Sequence, residues 1–261
     1  MIFLKLGGSL ITDKSESETV REDILHRTAS EIAAFMKEIP TEKILLGHGS
    51  GSFGHFYAAK YNTHLGASSQ EEWFGFSEVW SSANKLNCSV MDALKNAGVH
   101  AVRFAPSSSA ITKNGKIQSM EIEPIVSCLA AGLLPVVHGD VAFDNELGST
   151  IISTEKVFSF LAQSLNPERI LLAGIEAGVY EDYTHKKRLI PEITPDCRSE
   201  IDLRGSEATD VTGGMYDKVS VALNLTQEYP DIQIHIFSGR KSGAIYEALS
   251  GKPGGTIIHN P

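Results

Sequence analysis

The sequence Gly47-His48-Gly49-Ser50-Gly51-Ser52-Phe53-Gly54-His55 follows the apolar run Ile44-Leu45-Leu46. This order predicts a buried strand that ends in a glycine-rich turn. Closely spaced glycines let backbone N–H groups converge on an anion, and a helix that starts after the turn adds the positive end of its dipole. The turn is therefore a predicted phosphate site. His55 is a candidate phosphate contact, because the charge of a histidine changes near neutral pH.

The same turn also matches the dinucleotide pattern G-x-G-x-x-G through Gly49, Gly51 and Gly54. That pattern normally has an acidic partner about 20 residues further on, at the end of a second strand. Glu71 and Glu72 lie near that distance, but their surroundings indicate a helix. The dinucleotide interpretation therefore lacks its second element. A tight turn without a ligand remains a third interpretation of the glycines.

The composition is that of an ordinary soluble, enzyme-like protein rather than a disordered or fibrous one. The chain has 261 residues, 42% hydrophobic and 21% charged, with a net charge of −9. This charge disfavours nucleic acid as a partner. No apolar segment approaches a membrane span, and residues 1–8 read as a first strand rather than a signal peptide, so we expect a cytoplasmic protein. Three separated cysteines indicate neither a disulfide framework nor a zinc site; they are Cys88, Cys128 and Cys197.

A second glycine turn, Gly7-Gly8-Ser9, follows the first strand and is flanked by Lys5 and Lys14. A lysine ammonium is a compact charge suited to phosphate, so two of them around a glycine turn could neutralise the phosphates of a nucleotide. The alternative is that Lys5 is an inward strand residue with a partner and that Lys14 is a solvated loop residue.

The remaining patterns alternate between helix and strand, which predicts a mainly parallel sheet covered on both faces. Helical spacing covers residues 22–39, where Thr19 to Glu22 has the capping-box pattern, and residues 73–96. The strand at 133–138 ends at Gly139-Asp140, and open α/β sheets bind ligands at such strand ends. Aromatic residues of the second helix could line an apolar pocket, although core packing is the alternative; they are Trp73, Phe74, Phe76 and Trp80.

The second half repeats this alternation. A helix follows Ser153-Thr154-Glu155, a strand covers residues 169–173, and a charged hairpin is predicted at residues 180–190. A third glycine turn, Gly213-Gly214, precedes a helix that contains Lys218. A strand at residues 232–237 and an apolar end at residues 254–258 close the chain.

Four motifs, in this order, resemble the amino acid kinase superfamily over essentially the whole chain. They are Lys5-Leu6-Gly7-Gly8-Ser9, the turn at residues 47–55, Gly139-Asp140-Val141, and Asp210-Val211-Thr212-Gly213-Gly214-Met215 with Lys218 after it. Within the superfamily, Lys14 and the G-S-F-G-H ending resemble the isopentenyl phosphate kinase family, whose relatives include fosfomycin kinases. The resemblance implies an α/β/α sandwich in a single domain, residues 1–261. It also implies an N-terminal lobe, about 1–140, for a phosphorylated substrate, a C-terminal lobe, about 141–261, for ATP, and a homodimer.

The resemblance and the patterns above together assign the site residues. Catalytic roles fall to Lys5, Lys14, His55, Glu155 and Lys218. Substrate contacts fall to Gly49, Ser50, Gly51, Gly54, His55, Phe76, Trp80, Gly139 and Asp140. Nucleotide contacts fall to Lys5, Gly7, Gly8, Ser9, Ser50, Gly174, Gly178, Tyr180, Gly213, Gly214 and Lys218. Mg²⁺ is expected to be held mainly by the ATP phosphates, without a dedicated protein site.

The implied reaction is transfer of the ATP γ-phosphoryl group to isopentenyl phosphate, giving isopentenyl diphosphate for isoprenoid biosynthesis. Two departures from the family pattern leave alternatives open. Ser153-Thr154-Glu155 replaces S-G-D, and residues 174–180 read G-I-E-A-G-V-Y where the family has T-D-V-D-G-V-Y. The alternatives are a kinase for fosfomycin or another small phosphate or phosphonate, and a nucleotide-binding regulator without catalysis.

Overall fold

A computed structural model describes residues 1–13, 15–182, 185–196 and 214–261. Its strands, in chain order, are β1 (Ile2–Leu6), β2 (Thr12–Asp13), β3 (Thr19–Val20), β4 (Ile44–His48), β5 (Ala101–Arg103), β6 (Ala110–Lys113), β7 (Lys116–Met120), β8 (Leu134–His138), β9 (Asp140–Asp144), β10 (Gly148–Ile152), β11 (Arg169–Gly174), β12 (Val179–Tyr180), β13 (Leu189–Ile190), β14 (Glu192–Ile193), β15 (Gln233–Ser238) and β16 (Thr256–Ile258).

The helices, in chain order, are α1 (Gly8–Ile11), α2 (Glu22–Glu38), α3 (Gly51–Tyr61), α4 (Gln70–Asn96), α5 (Pro106–Ser109), α6 (Glu123–Ala130), α7 (Thr154–Leu165), α8 (Gly214–Glu228) and α9 (Ala244–Leu249). A short 3₁₀ turn, Thr63–Leu65, links α3 to α4. In the part of the chain that the structure describes, none of these helices combines the length and the apolar character needed to cross a membrane.

The main sheet contains eight described strands in the spatial order β14-β16-β15-β11-β1-β4-β8-β5. The central pairs, from β15 through β11, β1 and β4 to β8, are parallel, and β16 pairs antiparallel with β15. Strand β1 lies between β4 of the first half and β11 of the second half. Both halves of the chain therefore share one sheet, and the predicted mainly parallel topology is confirmed.

Alternate residues of β1 show that the sheet has helices on both faces. Leu4 and Leu6 pack into a buried cluster with residues of α2, α4 and α9. Phe3 points the other way, into a cluster with residues of α6, α7 and α8. Burial of each such side chain contributes roughly 1.5–3 kcal/mol. The architecture is therefore the predicted α/β/α sandwich. Lys5 lies on the same face as Phe3, because side chains alternate along a strand.

A second sheet of four strands, in the order β10-β9-β6-β7, was not predicted. Its β6–β7 hairpin turns at Asn114 and Gly115, which have positive φ values of 53° and 74°. The Asp144 carboxylate accepts hydrogen bonds from the N–H groups of Asn114, Gly115, Glu146 and Leu147 at 2.9–3.0 Å. Burial alone would raise the pKa of Asp144, but these N–H groups outweigh it and lower the pKa. Asp144 thus ties two hairpins together.

Two helix starts differ from their predictions. Thr19 and Val20 form β3, which pairs with β2, so the capping box predicted at Thr19 is wrong. Helix α2 begins after Arg21, which makes no side-chain cap. A capping box occurs instead at α4, where Ser69 Oγ accepts from Glu72 N–H and the Glu72 carboxylate accepts from Ser69 N–H. Helix α4 therefore begins at Gln70 rather than at residue 73.

Candidate active site

A cavity of about 500 Å³ lies at the carboxyl ends of the parallel strands. It brings together residues that the sequence analysis selected from all three glycine turns and from distant helices. The predicted residues that line it are Lys5, Gly7, Gly8, Ser9, Gly49, Ser50, Gly51, His55, Gly139, Glu155, Gly174, Gly214 and Lys218. The position agrees with the rule that open α/β sheets bind ligands beyond the carboxyl ends of their strands.

Backbone hydrogen bonds hold the turns side by side at this edge. Gly7 N–H donates to Ala173 O at 2.7 Å, and Gly49 N–H donates to Leu6 O at 3.0 Å. Gly139 N–H donates in the same way to the carbonyl of His48, at 3.0 Å. The first residue after each of these strands is therefore bonded to the end of the neighbouring strand. As a result the turns open onto one common space.

Gly8 and Gly51 are in close contact, and both must be glycine. A Cβ atom added at Gly8 would overlap the backbone of Gly51, and Gly51 itself has φ +50°. Thr12 links the two turns, because its hydroxyl accepts from Ser52 N–H at 3.0 Å and donates to Gly8 O at 2.8 Å. The N-terminus of α3 is thereby fixed against the first turn. The positive end of the α3 dipole lies at the cavity lining, and such a position favours an anion.

Lys5, Glu155 and Lys218 form the charged group of the cavity. Lys5 forms an ion pair with Glu155, and the two side chains are only 9% and 10% exposed. Burial alone would raise the pKa of Glu155, but the ammonium groups of Lys5 and Lys218 outweigh it and hold this pKa below its usual value. Glu155 is therefore ionised at neutral pH. Two cations and one anion leave this wall of the cavity positively charged.

His55 lies in the first turns of α3 and is half-buried. It lines both the main cavity and a small adjoining pocket of about 20 Å³. Gly54 and Asp140 line the small pocket, which shares Ser50, His55 and Gly139 with the main cavity. Apolar side chains complete its wall; they are Ala58, Val79, Ala83 and Ile151. A polar entrance thus leads into an apolar recess.

Six predicted site residues lie elsewhere or outside the described chain. Phe76 packs against Trp73 and Phe143, and Trp80 is 43% exposed; neither lines either space. Gly178 packs against Thr256, and Tyr180 belongs to the β12–β13 hairpin. Lys14 and Gly213 lie outside the described residues. The roles assigned to all six stay predictions.

Sequence reasoning missed several lining residues. The β6–β7 turn contributes Asn114 and Gly115, and Lys156 Nζ donates to the Gly115 carbonyl at 3.3 Å. An Asn-Gly pair between two short runs is a strong hairpin signal, which was present in the sequence but not used. Thr154 also lines the cavity, and its hydroxyl donates to His48 O at 2.7 Å.

Comparison with known proteins agrees with this geometry. Residues 1–238 match the amino acid kinase family. The isopentenyl phosphate kinase of Methanothermobacter thermautotrophicus is 34% identical over 97% of this chain and 96% of that relative. The chain belongs to the isopentenyl phosphate kinases of the amino acid kinase family.

Other members show the same similarity. The isopentenyl phosphate kinase of Methanocaldococcus jannaschii is 32% identical over 99% of this chain and 98% of its own. An X-ray structure of isopentenyl phosphate kinase, also 32% identical, superposes with a TM-score of 0.85 and covers 99% of both chains. A substrate complex of isopentenyl phosphate kinase, 21% identical, shares the fold with a TM-score of 0.78.

The structure shows what replaces the two family motifs. Glu155 stands at the aspartate position of S-G-D. Its side chain is one methylene longer than that of aspartate, and its carboxylate forms an ion pair with Lys5. Thr154 stands at the glycine position and uses its hydroxyl to hold the start of α7 against β4. In the second motif, Glu176 lines the cavity and forms an ion pair with Lys186 at 2.8 Å. Each of the two segments therefore contains a glutamate paired with a lysine, although Glu176 stands at the valine position of the family pattern.

Proposed function

We propose that this chain transfers the γ-phosphoryl group of ATP to isopentenyl phosphate, producing isopentenyl diphosphate and ADP. The observation that carries the proposal is the convergence of Lys5, Lys218 and His55 on one cavity beside the glycine turns. Phosphoryl transfer requires two anions to be aligned and their charge neutralised. The similarity to isopentenyl phosphate kinases supports the choice of substrate.

The reaction needs positioning more than it needs a strong base. A phosphate oxygen of isopentenyl phosphate attacks the γ-phosphorus of ATP as the bond to the β-phosphate oxygen breaks. The attacking oxygen already carries charge, so no proton has to be removed from it at neutral pH. Lys5 and Lys218 would stabilise the negative charge that spreads over the transferred group. Glu155 would hold the Lys5 ammonium in place without approaching the phosphates itself.

We assign the two ends of the substrate to the two spaces. The phosphate of isopentenyl phosphate would lie at Ser50 and His55, where the cavity and the small pocket meet. Its branched apolar tail would enter the recess formed by Val79, Ala83 and Ile151. We assign the nucleotide to the part of the cavity formed by Gly174, Gly214 and neighbouring residues of the C-terminal half, with Gly8 of the first glycine turn beside them. This assignment follows the predicted division into two lobes.

Mg²⁺ is proposed to enter with ATP. Among the described residues, no group of three or more histidine, cysteine, aspartate or glutamate side chains is arranged to hold a metal ion. Of the carboxylates in the cavity lining, Glu155 and Glu176 are paired with lysines. Mg²⁺ commonly keeps several waters and uses substrate phosphates as ligands, which suits this arrangement. A cytoplasmic location and a homodimer remain proposals from the sequence and the family resemblance.

Turnover on a panel of acceptors tests the proposal. With MgATP, isopentenyl phosphate and dimethylallyl phosphate should both be phosphorylated, and fosfomycin should react with a kcat/KM at least about tenfold lower, because it lacks the branched tail. A preference for fosfomycin would show that the substrate is wrong while the chemistry is right. ATP binding without turnover of any acceptor would favour a nucleotide-binding regulator.

A further inference from the structure

Two buried histidines end neighbouring strands directly behind the glycine turns. His48 is the last residue of β4 and His138 the last residue of β8, and they are register partners. Their rings stack with centroids 5.3 Å apart and planes inclined by 15°. His48 is 1% exposed and His138 is 2% exposed. Neither ring lines the cavity, although the residues after them, Gly49 and Gly139, do.

The hydrogen bonds of these rings show which ring nitrogen carries the proton. Nδ1 of His48 lies 3.1 Å from Gly49 O, and Nδ1 of His138 lies 3.1 Å from Gly139 O. A carbonyl oxygen can only accept, so the proton of each neutral ring lies on Nδ1. Nε2 of His48 is then an acceptor, and the Asn87 amide donates to it at 2.9 Å. Each histidine thus donates from Nδ1 to the carbonyl group of the glycine that follows it.

This contact fixes the direction of the peptide between Gly49 and Ser50. In a trans peptide the C=O and N–H groups point in opposite directions. Because the Gly49 carbonyl is held towards the His48 ring, the Ser50 N–H is turned away from that ring. Gly49 and Ser50 line the cavity and His48 does not. An N–H group turned away from the His48 ring would then point towards the space that would hold the anion. His138 fixes the Gly139 peptide in the same way, at the point where β9 begins.

We propose that His48 and His138 are positioning residues, which hold the two glycine turns in the orientation that binds the substrate phosphate. The inference rests on the proposed function for its activity readout. Neither histidine touches the substrate. Each acts through a single Nδ1–H donor to the following carbonyl, while the stacked pair keeps both rings from rotating.

Replacing each histidine by asparagine and, separately, by glutamine distinguishes the loss of the hydrogen-bond donor from the loss of side-chain volume. Asparagine can place its amide nitrogen near the position of Nδ1, whereas glutamine carries its amide towards the position of Nε2. His48→Asn and His138→Asn should each keep kcat/KM for isopentenyl phosphate within about threefold of wild type. His48→Gln and His138→Gln should each lose about tenfold or more, because the glycine peptide is released.

A packing role predicts the reverse order. Asparagine leaves the larger gap, so the asparagine variants should then be both less stable and less active than the glutamine variants. Melting temperatures measured on the same preparations separate activity from stability. His235→Asn is the matched control, because His235 is a buried histidine of β15 that lies outside the cavity lining. Its kcat/KM should equal that of wild type. Glutamine variants as active as the asparagine variants would overturn the inference.

A second measurement does not depend on the substrate. ¹⁵N NMR of the histidine rings in the wild-type protein should show that both rings carry a proton on Nδ1. Neutral histidine in water prefers the proton on Nε2, so the two signals should stand apart from those of exposed histidines. If both rings carry the proton on Nε2, the inference is wrong even where turnover is normal. If turnover is absent but the Nδ1 tautomer is found, the proposed function fails and the positioning contacts remain.

Discussion

Lys5 and Glu155 form a buried ion pair between the central strand β1 and the first turn of α7. In the sheet, Lys5 pairs with Gly47 of β4 on one side and with Leu172 of β11 on the other, so its backbone is held on both sides. Glu155 is also close enough to Lys218 of α8 to be influenced by its charge. One carboxylate therefore pairs with the central strand and faces the charge of a second helix at the place where phosphates would gather.

Neutralising this carboxylate should damage both stability and catalysis. Glu155→Gln leaves the Lys5 ammonium buried without its counter-ion, which costs about 3–5 kcal/mol in the free energy of unfolding. Since the ammonium is then free to move, kcat should fall by at least about tenfold. Urea unfolding and steady-state kinetics measure the two effects.

Glu155→Asp is the matched control for this change. It keeps the charge and restores the acid of the family pattern, but it shortens the side chain by one methylene. Its activity and stability should lie between those of wild type and Glu155→Gln. A Glu155→Gln variant with wild-type kcat would exclude Glu155 from the positioning of Lys5.

His55 should matter for selection of the phosphorylated substrate. As a phosphate contact it supplies a charge-assisted hydrogen bond worth about 1.5–3 kcal/mol, so His55→Ala should lower kcat/KM by roughly one to two decades. His55→Gln keeps a donor without the charge and should give an intermediate value. Melting temperature and KM for isopentenyl phosphate are measured on the same preparations. Lower stability with an unchanged KM would mean that His55 only supports α3.

Lys14 lies outside the described residues, and its role remains a prediction from the sequence. If its ammonium follows the transferred phosphoryl group, the interaction strengthens as charge develops in the transition state. Lys14→Ala should therefore lower kcat by about tenfold or more, while ATP affinity changes by less than about threefold. Calorimetric titration with a non-hydrolysable ATP analogue measures the affinity. An unchanged kcat would remove Lys14 from the mechanism.

The glycine turns and the main sheet could be predicted because their signals are local. Apolar runs that end in closely spaced glycines mark buried strands followed by turns, and the order of these units leaves few arrangements for a parallel sheet. Lys5 stood out because a lysine within an apolar strand requires a partner. No local pattern identifies that partner as Glu155, since only the folded chain brings α7 beside β1. The family resemblance alone placed Glu155 at the position of the acid that orients catalytic lysines.

The wall of the small pocket could not be predicted, because the sequence does not say which side of α4 faces it. The structure places Val79 and Ala83 there, four residues apart on one face. Trp80 is the next residue after Val79, so it is rotated by about 100° around the helix and is 43% exposed. The second sheet was missed for another reason. Its strands are short and largely polar on one side, so only the Asn114-Gly115 turn signalled it.

Acid should destabilise the protein through His48. Burial, with a smaller effect of His138, lowers the pKa of His48 from 6.5 to about 3. Below pH 6.5 the unfolded chain therefore binds a proton that the folded chain does not, and stability falls as the pH falls towards 3. Between pH 6.5 and about pH 4.5, this difference amounts to about 2 kcal/mol.

His48→Asn removes this titrating group. The loss of unfolding free energy between pH 6.5 and about pH 4.5 should therefore be about 2 kcal/mol smaller in the variant than in wild type. Urea unfolding at the two pH values measures it. His100→Asn is the control, because it removes an exposed histidine and leaves His48 in place, so the loss attributed to His48 should persist in it. Parallel curves for His48→Asn and wild type would show that His48 titrates alike in the folded and unfolded chain.

Filling the small pocket should affect the acceptor and spare the nucleotide. Ala83 is 2% exposed and lines the pocket, whose volume is only about 20 Å³. Ala83→Val adds two methyl groups there, at a cost of about 1–3 kcal/mol in stability from overpacking. If the recess receives the isopentenyl tail, KM for isopentenyl phosphate should rise about tenfold or more, because a lost or displaced methylene group costs roughly 1–3 kcal/mol.

The KM for ATP should stay within about twofold, since the proposed nucleotide site lies on the other side of the transferred phosphoryl group. Ala93→Val is the matched control, because Ala93 is another 2% exposed alanine of α4 but lies outside the pocket lining. It should lower stability by a similar amount and leave both KM values unchanged. Equal effects of the two substitutions on KM for isopentenyl phosphate would place the tail elsewhere. A rise in KM for ATP alone would reverse the assignment of the two spaces.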